Sequence, residues 1–379
     1  MFAARTACAS AVAIPGSHAV LAQAALVMQH LRHITRKWRM AAQCEGSRPE
    51  SNAMPDTPQR LAPADLALPW RDELRAAAII ELAAVPPTAD PPCLPPFPLI
   101  GIGAPDDGWA GDVDLVVADH DQAAAIAESC ARNPQAAAVL VQLLRLIEAL
   151  PPQDALVAES LAFGLLQSGA EHQSWLTSRQ PVTPEPPGTL HAERSGDRLD
   201  LVIDRPHAHG SIDRAMRDAL REAFDIGALD GDIRAITLGS TGRTFSTGAD
   251  LAEFGTTRDP VMAHMIRMQT LPAHPLVQCG PKLSVYVQGG CVGSGLEMAA
   301  FAARITATPD AWFHLPELKM GLIPGAGGCV SLSRRIGRQR TAQLVLSGQR
   351  INARQALAIG LVDAVIGKTA LADRLTDRR

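Results

Sequence analysis

The sequence lacks several features that mark whole classes of protein. None of its seven cysteines forms a CxxC pair, and no histidine follows one at zinc-site spacing. We therefore expect reduced thiols in a cytoplasmic protein, and no metal site. The net charge is only −4 over 379 residues, which gives no reason to expect a nucleic-acid partner.

Long apolar runs are also missing. The stretch 11–28 is broken by Pro15, Gly16 and His18, so it makes a poor transmembrane helix and we expect no membrane association. Residues 1–53 carry no acidic residue before Glu45. Three interpretations of this segment stay open: a disordered segment, a targeting segment, or a start codon assigned too early.

Two proline-rich stretches, 85–98 and 181–187, divide the rest of the chain. Proline lacks an N–H and fixes φ, so neither stretch sustains a helix or a central strand. The second stretch is predicted to be a linker. It would separate a mainly helical module of unassigned role, 54–180, from the remainder.

Within 54–180, the apolar patterns predict three helices and two short strands. The helices are expected at 122–133, 134–150 and 155–167, and the strands at 98–103 and 113–118. The IGIG sequence of the first strand lacks the third glycine of GxGxxG and the lysine of a P-loop. It therefore indicates a turn and not a phosphate loop.

Beyond residue 190, strands alternate with helices, which predicts an α/β domain. Strands are expected at 199–204, 233–238, 283–287 and 304–307. A helix is expected at 211–226, with Ser211 or Asp213 as its cap.

A glycine-marked segment follows each of two of these strands. The first is 242–251 (GRTFSTGADL) and the second is 288–297 (QGGCVGSGLE). In the second, Gly293 and Gly295 open an apolar helix at 296–303, whose first N–H groups and positive dipole end suit negative charge on an oxygen. For either segment alone, a plain tight turn explains the glycines equally well.

Two glutamates accompany these segments. Glu297 lies just inside the predicted helix, and Glu317 lies between an apolar run and the glycine-rich turn 322–328. Carboxylates that converge beside an anion-stabilising site can serve as paired general acid and base. Taken singly, each is better explained as a solvated surface residue.

Together, these segments resemble the crotonase (enoyl-CoA hydratase/isomerase) family in order and spacing. Residues 245–251 are similar to its FxxGADL motif, and 289–297 to its GxxxGxGxE motif. The family's PE, IPGAGG, LTGxxI and AxxxGLVD landmarks have counterparts at 316–317, 323–328, 346–351 and 356–363. The resemblance implies a crotonase-like ββα superhelix domain at 188–368, followed by a tail at 369–379.

The resemblance also implies roles for individual residues. The backbone N–H groups of Ala249 and Ser294 would form an oxyanion hole for a thioester carbonyl. Glu297 would orient and deprotonate water, and Glu317 would deliver a proton to the α-carbon. The remaining matched positions would bind substrate: Gly248, Asp250, Leu251, Gly293, Pro316 and Gly325.

The implied substrate is an acyl-CoA thioester, and no separate cofactor is needed because CoA is part of the substrate. Retention of both glutamates favours an enoyl-CoA hydratase of fatty acid metabolism, assembled as a homo-oligomer (trimer or hexamer). Three alternatives stay open within the family: enoyl-CoA isomerase, acyl-CoA hydrolase and specialised aromatic acyl-CoA chemistry. A fourth is a non-catalytic CoA-binding member.

The chain departs from the family pattern in three places. Gly210-Ser211 replaces the usual Asn-Ala, beside His207 and His209, which either touch CoA phosphates or lie in a solvated loop. Ser294 carries a Cβ where glycine is common, so we expect a slightly different pocket. Few residues follow the AxxxGLVD landmark, and we hypothesise that the module 54–180 covers the missing helices.

Overall fold

The structure is a computed structural model that describes residues 58–71, 73–86 and 88–370. These residues contain three β-sheets. The predicted segment 1–53 and residues 371–379 of the predicted tail 369–379 lie outside these residues. Among the described helices, none is long and apolar enough to cross a membrane.

The N-terminal part contains a parallel four-stranded sheet in the order β1-β2-β3-β4. Its strands are β1 Gln59–Leu61, β2 Ala78–Glu81, β3 Leu99–Ile102 and β4 Leu115–Val117. The two predicted strands correspond to β3 and β4. Strands β1 and β2 were not predicted, so this part of the chain has more sheet than a mainly helical module implies.

Four helices follow this sheet: α1 His120–Arg132, α2 Pro134–Ile147, α3 Pro152–Gln167 and α4 Ala170–Ser178. The first three correspond to the predicted helices. Proline occupies the first turn of α2 and α3, where no N–H bond is lost. Helix α4 was not predicted, since it is short and only one of its residues, His172, is buried.

The second sheet has six strands in the order β13-β10-β8-β7-β6-β5. All neighbours are parallel except β5 and β6, which form an antiparallel pair. The strands are β5 Thr189–Ser195, β6 Arg198–Asp204, β7 Ala235–Ser240, β8 Leu283–Val287, β10 Arg304–Ala307 and β13 Ala364–Val365. The predictions for β8 and β10 are confirmed residue for residue, whereas β5 was missed because its side chains are mostly exposed.

A third, smaller sheet joins β12 Ile351–Asn352, β11 Trp312–His314 and β9 Gly290–Val292. The remaining helices are α5 Arg214–Leu229, α6 Pro260–Thr270, α7 Ala273–Cys279, α8 Ser294–Ala299, α9 Gly328–Ile336, α10 Arg338–Ser347 and α11 Ala353–Ala358. The Asp213 side chain caps α5 by accepting from the Met216 N–H at 2.8 Å, so Asp213 and not Ser211 is the cap.

One hydrophobic core runs through both parts of the chain. Leu140 of α2 and Leu166 of α3 belong to the same buried cluster as Leu238 of β7 and Val330 of α9. Helices α2 and α3 both contact α9, the helix that follows the glycine-rich turn 322–328. This shared core places α3 within reach of the site described next.

Candidate functional site

Helix α8 begins at a glycine that no other residue can replace without strain. Gly293 has φ 48°, in the left-handed region, and a Cβ there would lie 2.9 Å from Oε1 of Glu317. The next residue, Ser294, starts the helix in ordinary helical conformation, so the expected restriction of its φ costs nothing. Its N–H is one of the first-turn donors that have no partner within a helix.

A second N–H comes from the segment after β7. Ile212 donates its N–H to the Gly248 carbonyl at 2.8 Å, and Asp250 donates to the Ile212 carbonyl at 3.0 Å. Ala249 lies between Gly248 and Asp250 in the chain, and its N–H takes part in neither of these two hydrogen bonds. Within the described residues, neither Ala249 nor Ser294 donates its N–H to a protein acceptor.

These donors face a cavity of about 240 Å³. All the predicted site residues line it except Asp250, which borders a neighbouring cavity. The other walls are mostly apolar and include Phe163, Phe254, Leu271, Met298, Met320 and Leu322. A mostly apolar cleft with a few convergent polar groups is the usual form of a small-molecule site.

The Glu297 carboxylate is buried beside the start of α9. Its Oε2 accepts hydrogen bonds from the N–H groups of Ala326 at 2.7 Å and Gly328 at 2.9 Å. Burial raises the pKa of Glu297 to about 7, although both N–H bonds act in the opposite direction. The group can therefore gain or lose a proton near neutral pH.

Glu317 occupies the first position of a 3₁₀ turn, Glu317–Met320, and is also buried. Its Oε2 has no hydrogen-bond partner in the described chain. Burial, followed by the negative charge of Glu297, raises the pKa of Glu317 well above its usual range. Both effects favour the protonated form of Glu317, and its Oε2 remains available to a ligand.

A third buried carboxyl, from Glu159 of α3, was missed by the sequence analysis. It accepts N–H bonds from Gly327 at 2.6 Å and Val330 at 3.3 Å, at the same helix start that holds Glu297. Burial, followed by the charge of Glu297, raises its pKa well above the usual range. Its only signal in the sequence is a single acidic residue in the apolar run 155–166.

Replacing Glu159 by Gln should change how stability depends on pH. Because folding raises its pKa, the folded protein keeps a proton that the unfolded chain releases above about pH 4.3. The contribution of this group to stability is therefore present at low pH and is lost as pH rises. We expect the urea midpoint of Glu159→Gln to improve relative to the native protein between about pH 5 and about pH 8.

The same substitution at the exposed Glu128 of α1 serves as the control for this measurement. The prediction would be contradicted if the urea midpoints of Glu159→Gln and the native protein differed by the same amount at every pH.

A buried ion cluster holds the segment that contains Ala249. The Arg205 guanidinium donates to Asp250 at 3.0 Å and pairs with Asp213 at 3.1 Å. It also donates to the Pro186 carbonyl of the linker at 3.0 Å. The Asp250 carboxylate therefore has a buried cation as its partner, and it also caps the next turn by accepting the Ala252 N–H at 3.0 Å.

His207 and His209, which follow Arg205 in the chain, have different surroundings. A ring nitrogen of His207 is 3.0 Å from the Pro186 carbonyl, so its ring is bound to the linker. His209 is exposed, with φ 54°. Among the described residues, no group of three or more His, Cys, Asp or Glu is arranged to hold a metal.

The fold and this site define a crotonase-type α/β protein. The sequence profile of the enoyl-CoA hydratase/isomerase family matches residues 199–378. Through this segment the chain belongs to the enoyl-CoA hydratase/isomerase (crotonase) family, whose members act on acyl-CoA thioesters.

Solved structures to which the chain is similar include three bacterial or archaeal proteins. The enoyl-CoA hydratase of Thermoplasma volcanium GSS1 is 33% identical, with 50% of this chain and 75% of that chain covered and a TM-score of 0.43. An enoyl-CoA hydratase/isomerase from Pseudoalteromonas atlantica T6c is 27% identical, with 50% and 73% covered and a TM-score of 0.43. The enoyl-CoA hydratase of Bacillus anthracis is 25% identical, with 50% and 74% covered and a TM-score of 0.45.

Proposed function

We propose that the protein is an enoyl-CoA hydratase, which adds water across the 2,3 double bond of an enoyl-CoA thioester. The observation that carries this proposal is the pairing of Glu297 with Glu317 on one cavity. Burial raises the pKa of Glu297 to about 7, and burial together with the charge of Glu297 raises the pKa of Glu317 well above its usual range. A base and an acid on one cavity are what hydration requires.

In the proposed reaction, the thioester carbonyl oxygen lies between the N–H groups of Ala249 and Ser294. Negative charge grows on this oxygen as the double bond is attacked. The two donors stabilise this charge, and so does the positive end of helix α8. Removal of one such donor typically lowers the rate by about 10²–10³-fold.

The Glu297 carboxylate accepts a proton from water while the water oxygen bonds to C3 of the substrate. The electron pair of the double bond moves through C2 onto the carbonyl oxygen. Glu317 then gives its proton to C2 as the enolate collapses, which completes the 3-hydroxyacyl thioester. Transfer of one proton from Glu297 to Glu317 restores the starting state of both carboxyls.

We propose that the reaction needs no cofactor, since CoA arrives with the substrate and water is the only other reactant. Assembly as a homo-oligomer and a cytoplasmic location stay predictions from the sequence.

A spectrophotometric assay with crotonyl-CoA and longer enoyl-CoA thioesters tests the proposal. Loss of the enoyl absorbance, with formation of the 3-hydroxyacyl thioester, is the expected result. Interconversion of 3-enoyl and 2-enoyl thioesters without hydration would assign an isomerase instead. Release of free CoA would assign a hydrolase, and CoA binding without any turnover would assign a non-catalytic member.

The rate of hydration should depend on pH in a defined direction. Glu297 acts as a base only when ionised, and burial raises its pKa to about 7. We therefore expect kcat/KM to fall about tenfold per pH unit on the acidic side of about pH 7. Because the buried carboxyls interact, the apparent pKa on the acidic side of the pH profile belongs to the coupled carboxyls and not to one residue. Initial rates between about pH 5 and about pH 9 test this, and a flat acidic side would contradict it.

A further inference from the structure

One residue from before the linker forms part of the cavity wall. Phe163 of α3 lies on the cavity together with Gly325 and Ala326 of the turn before α9. A Cβ added at Gly325 would be 2.1 Å from Cδ2 of the Phe163 ring. The ring is therefore in direct contact with this turn, and the absence of a side chain at Gly325 makes room for it.

The ring is held from a second direction by Arg267 of α6. The guanidinium lies 4.8 Å from the ring centroid, which is a cation–π contact. Arg267 is itself fixed, because it donates to both the hydroxyl and the carbonyl of Ser160, each at 2.9 Å. It also donates to the Gln167 side chain at 3.1 Å. Movement of the ring would therefore break its contact with a guanidinium that is itself held in place.

Helix α3 is fastened to the same turn by Glu159, one helical turn before Phe163. Residues four apart lie on one face of a helix, so both side chains approach the start of α9 together. The N–H bonds from Gly327 and Val330 to Glu159 hold the helix against the turn. The helix cannot move away from the cavity while these bonds persist.

A second cavity, of about 370 Å³, borders the same ring. It is lined by Phe163 and by residues that the first cavity does not reach, among them Gln167, Ile266 and Arg267. An acyl chain too long for the first cavity would find space there if the ring were absent.

The position of Phe163 relative to the reacting atoms follows from the proposed mechanism. The carbonyl lies at Ala249 and Ser294, and C2 and C3 lie at the glutamates. The Glu297 carboxylate is bonded to Ala326, so the wall next to it is Gly325 and the Phe163 ring. Carbons beyond C3 extend toward this wall.

We propose that Phe163 closes the acyl end of the cavity and restricts the protein to thioesters of short acyl groups. The inference rests on the proposed function, because the acyl end is located from the roles of the oxyanion donors and glutamates. It assigns a specificity-determining residue to the segment before the linker.

Binding of saturated acyl-CoA thioesters to the full chain tests the inference, because saturated ligands cannot be hydrated. Isothermal titration calorimetry would compare butanoyl-, octanoyl- and dodecanoyl-CoA with the native protein and Phe163→Ala. We expect the native protein to prefer butanoyl-CoA. The octanoyl-to-butanoyl affinity ratio should rise about 10–100-fold in Phe163→Ala, since each accommodated methylene adds favourable contact.

Two further variants make the result specific. Phe163→Leu keeps an apolar side chain and should give an intermediate ratio, which covers the case in which Phe163→Ala folds poorly. Leu165→Ala alters an exposed residue of the same helix, 64% accessible, and should leave the ratio unchanged.

The inference would be overturned if the native protein preferred octanoyl- or dodecanoyl-CoA. It would also be overturned if Phe163→Ala and Phe163→Leu both kept the native octanoyl-to-butanoyl affinity ratio. Absence of binding by any acyl-CoA would overturn both this inference and the hydratase proposal. Chain-length discrimination that depends on Phe163, without turnover of crotonyl-CoA, would support the inference while rejecting the hydratase.

Discussion

Replacement of Glu317 by Gln is expected to lower kcat for crotonyl-CoA hydration by about 10²–10⁴-fold. The amide has nearly the same shape but cannot deliver a proton to C2. Glu297→Gln should cause a loss of similar size, because an amide cannot accept the proton of water. Its remaining oxygen can still accept the N–H groups of Ala326 and Gly328, so the turn before α9 should keep its shape.

Steady-state rates, together with urea denaturation and acyl-CoA binding, separate chemistry from folding. Both variants should stay folded, with urea midpoints at or above the native one at neutral pH because folding raises the pKa of each replaced carboxyl, and should still bind a saturated acyl-CoA. Glu128→Gln, at a 76% exposed carboxyl on α1, is the matched control and should keep native turnover. Unchanged turnover in either glutamate variant would remove that residue from its proposed role.

Loss of the Arg205 guanidinium should produce the largest change in stability. Arg205→Met is expected to lower the free energy of unfolding by about 3–5 kcal/mol, because Asp250 and Asp213 would keep buried charge without a cation. The side chain is only 1% exposed, so water cannot replace the lost bonds. Urea denaturation at neutral pH measures the difference.

An exposed pair provides the comparison. Arg194 of β5 bonds Asp230 at 2.6 Å, with the arginine side chain 45% exposed, and Arg194→Met should cost at most about 1 kcal/mol. Adding Asp250→Asn to Arg205→Met should recover part of the loss, since it removes one of the uncompensated charges. Equal losses for Arg205→Met and Arg194→Met would refute a structural role for the buried cluster.

Short-range patterns predicted four of the six strands of the second sheet, β6, β7, β8 and β10, and both glycine-marked segments. Strand β8 alternates buried and half-buried residues, which is the period-two pattern of a strand. Gly293 was predicted to open a helix, and its positive φ and close approach to Glu317 explain why glycine stands there. These features depend on residues close together in the chain.

Other features depend on residues far apart. The apolar run of α3 predicts a helix, yet nothing in it states that Glu159 meets a helix start 168 residues later. No local pattern singled out Phe163 or Arg205. The position of Asp250 within a motif did not reveal that it binds Arg205, which also pairs with Asp213.

The sequence alone determined the class of this protein, because the glycines and glutamates of the motifs must stand at set spacings for backbone N–H groups and carboxyls to meet. Only the tertiary structure decided what surrounds them. The packing of α3 against helices α6, α7 and α9 adds a third carboxyl and an aromatic wall to the site. Such contacts arise from the summed burial of two parts of the chain, and no local pattern specifies their partners.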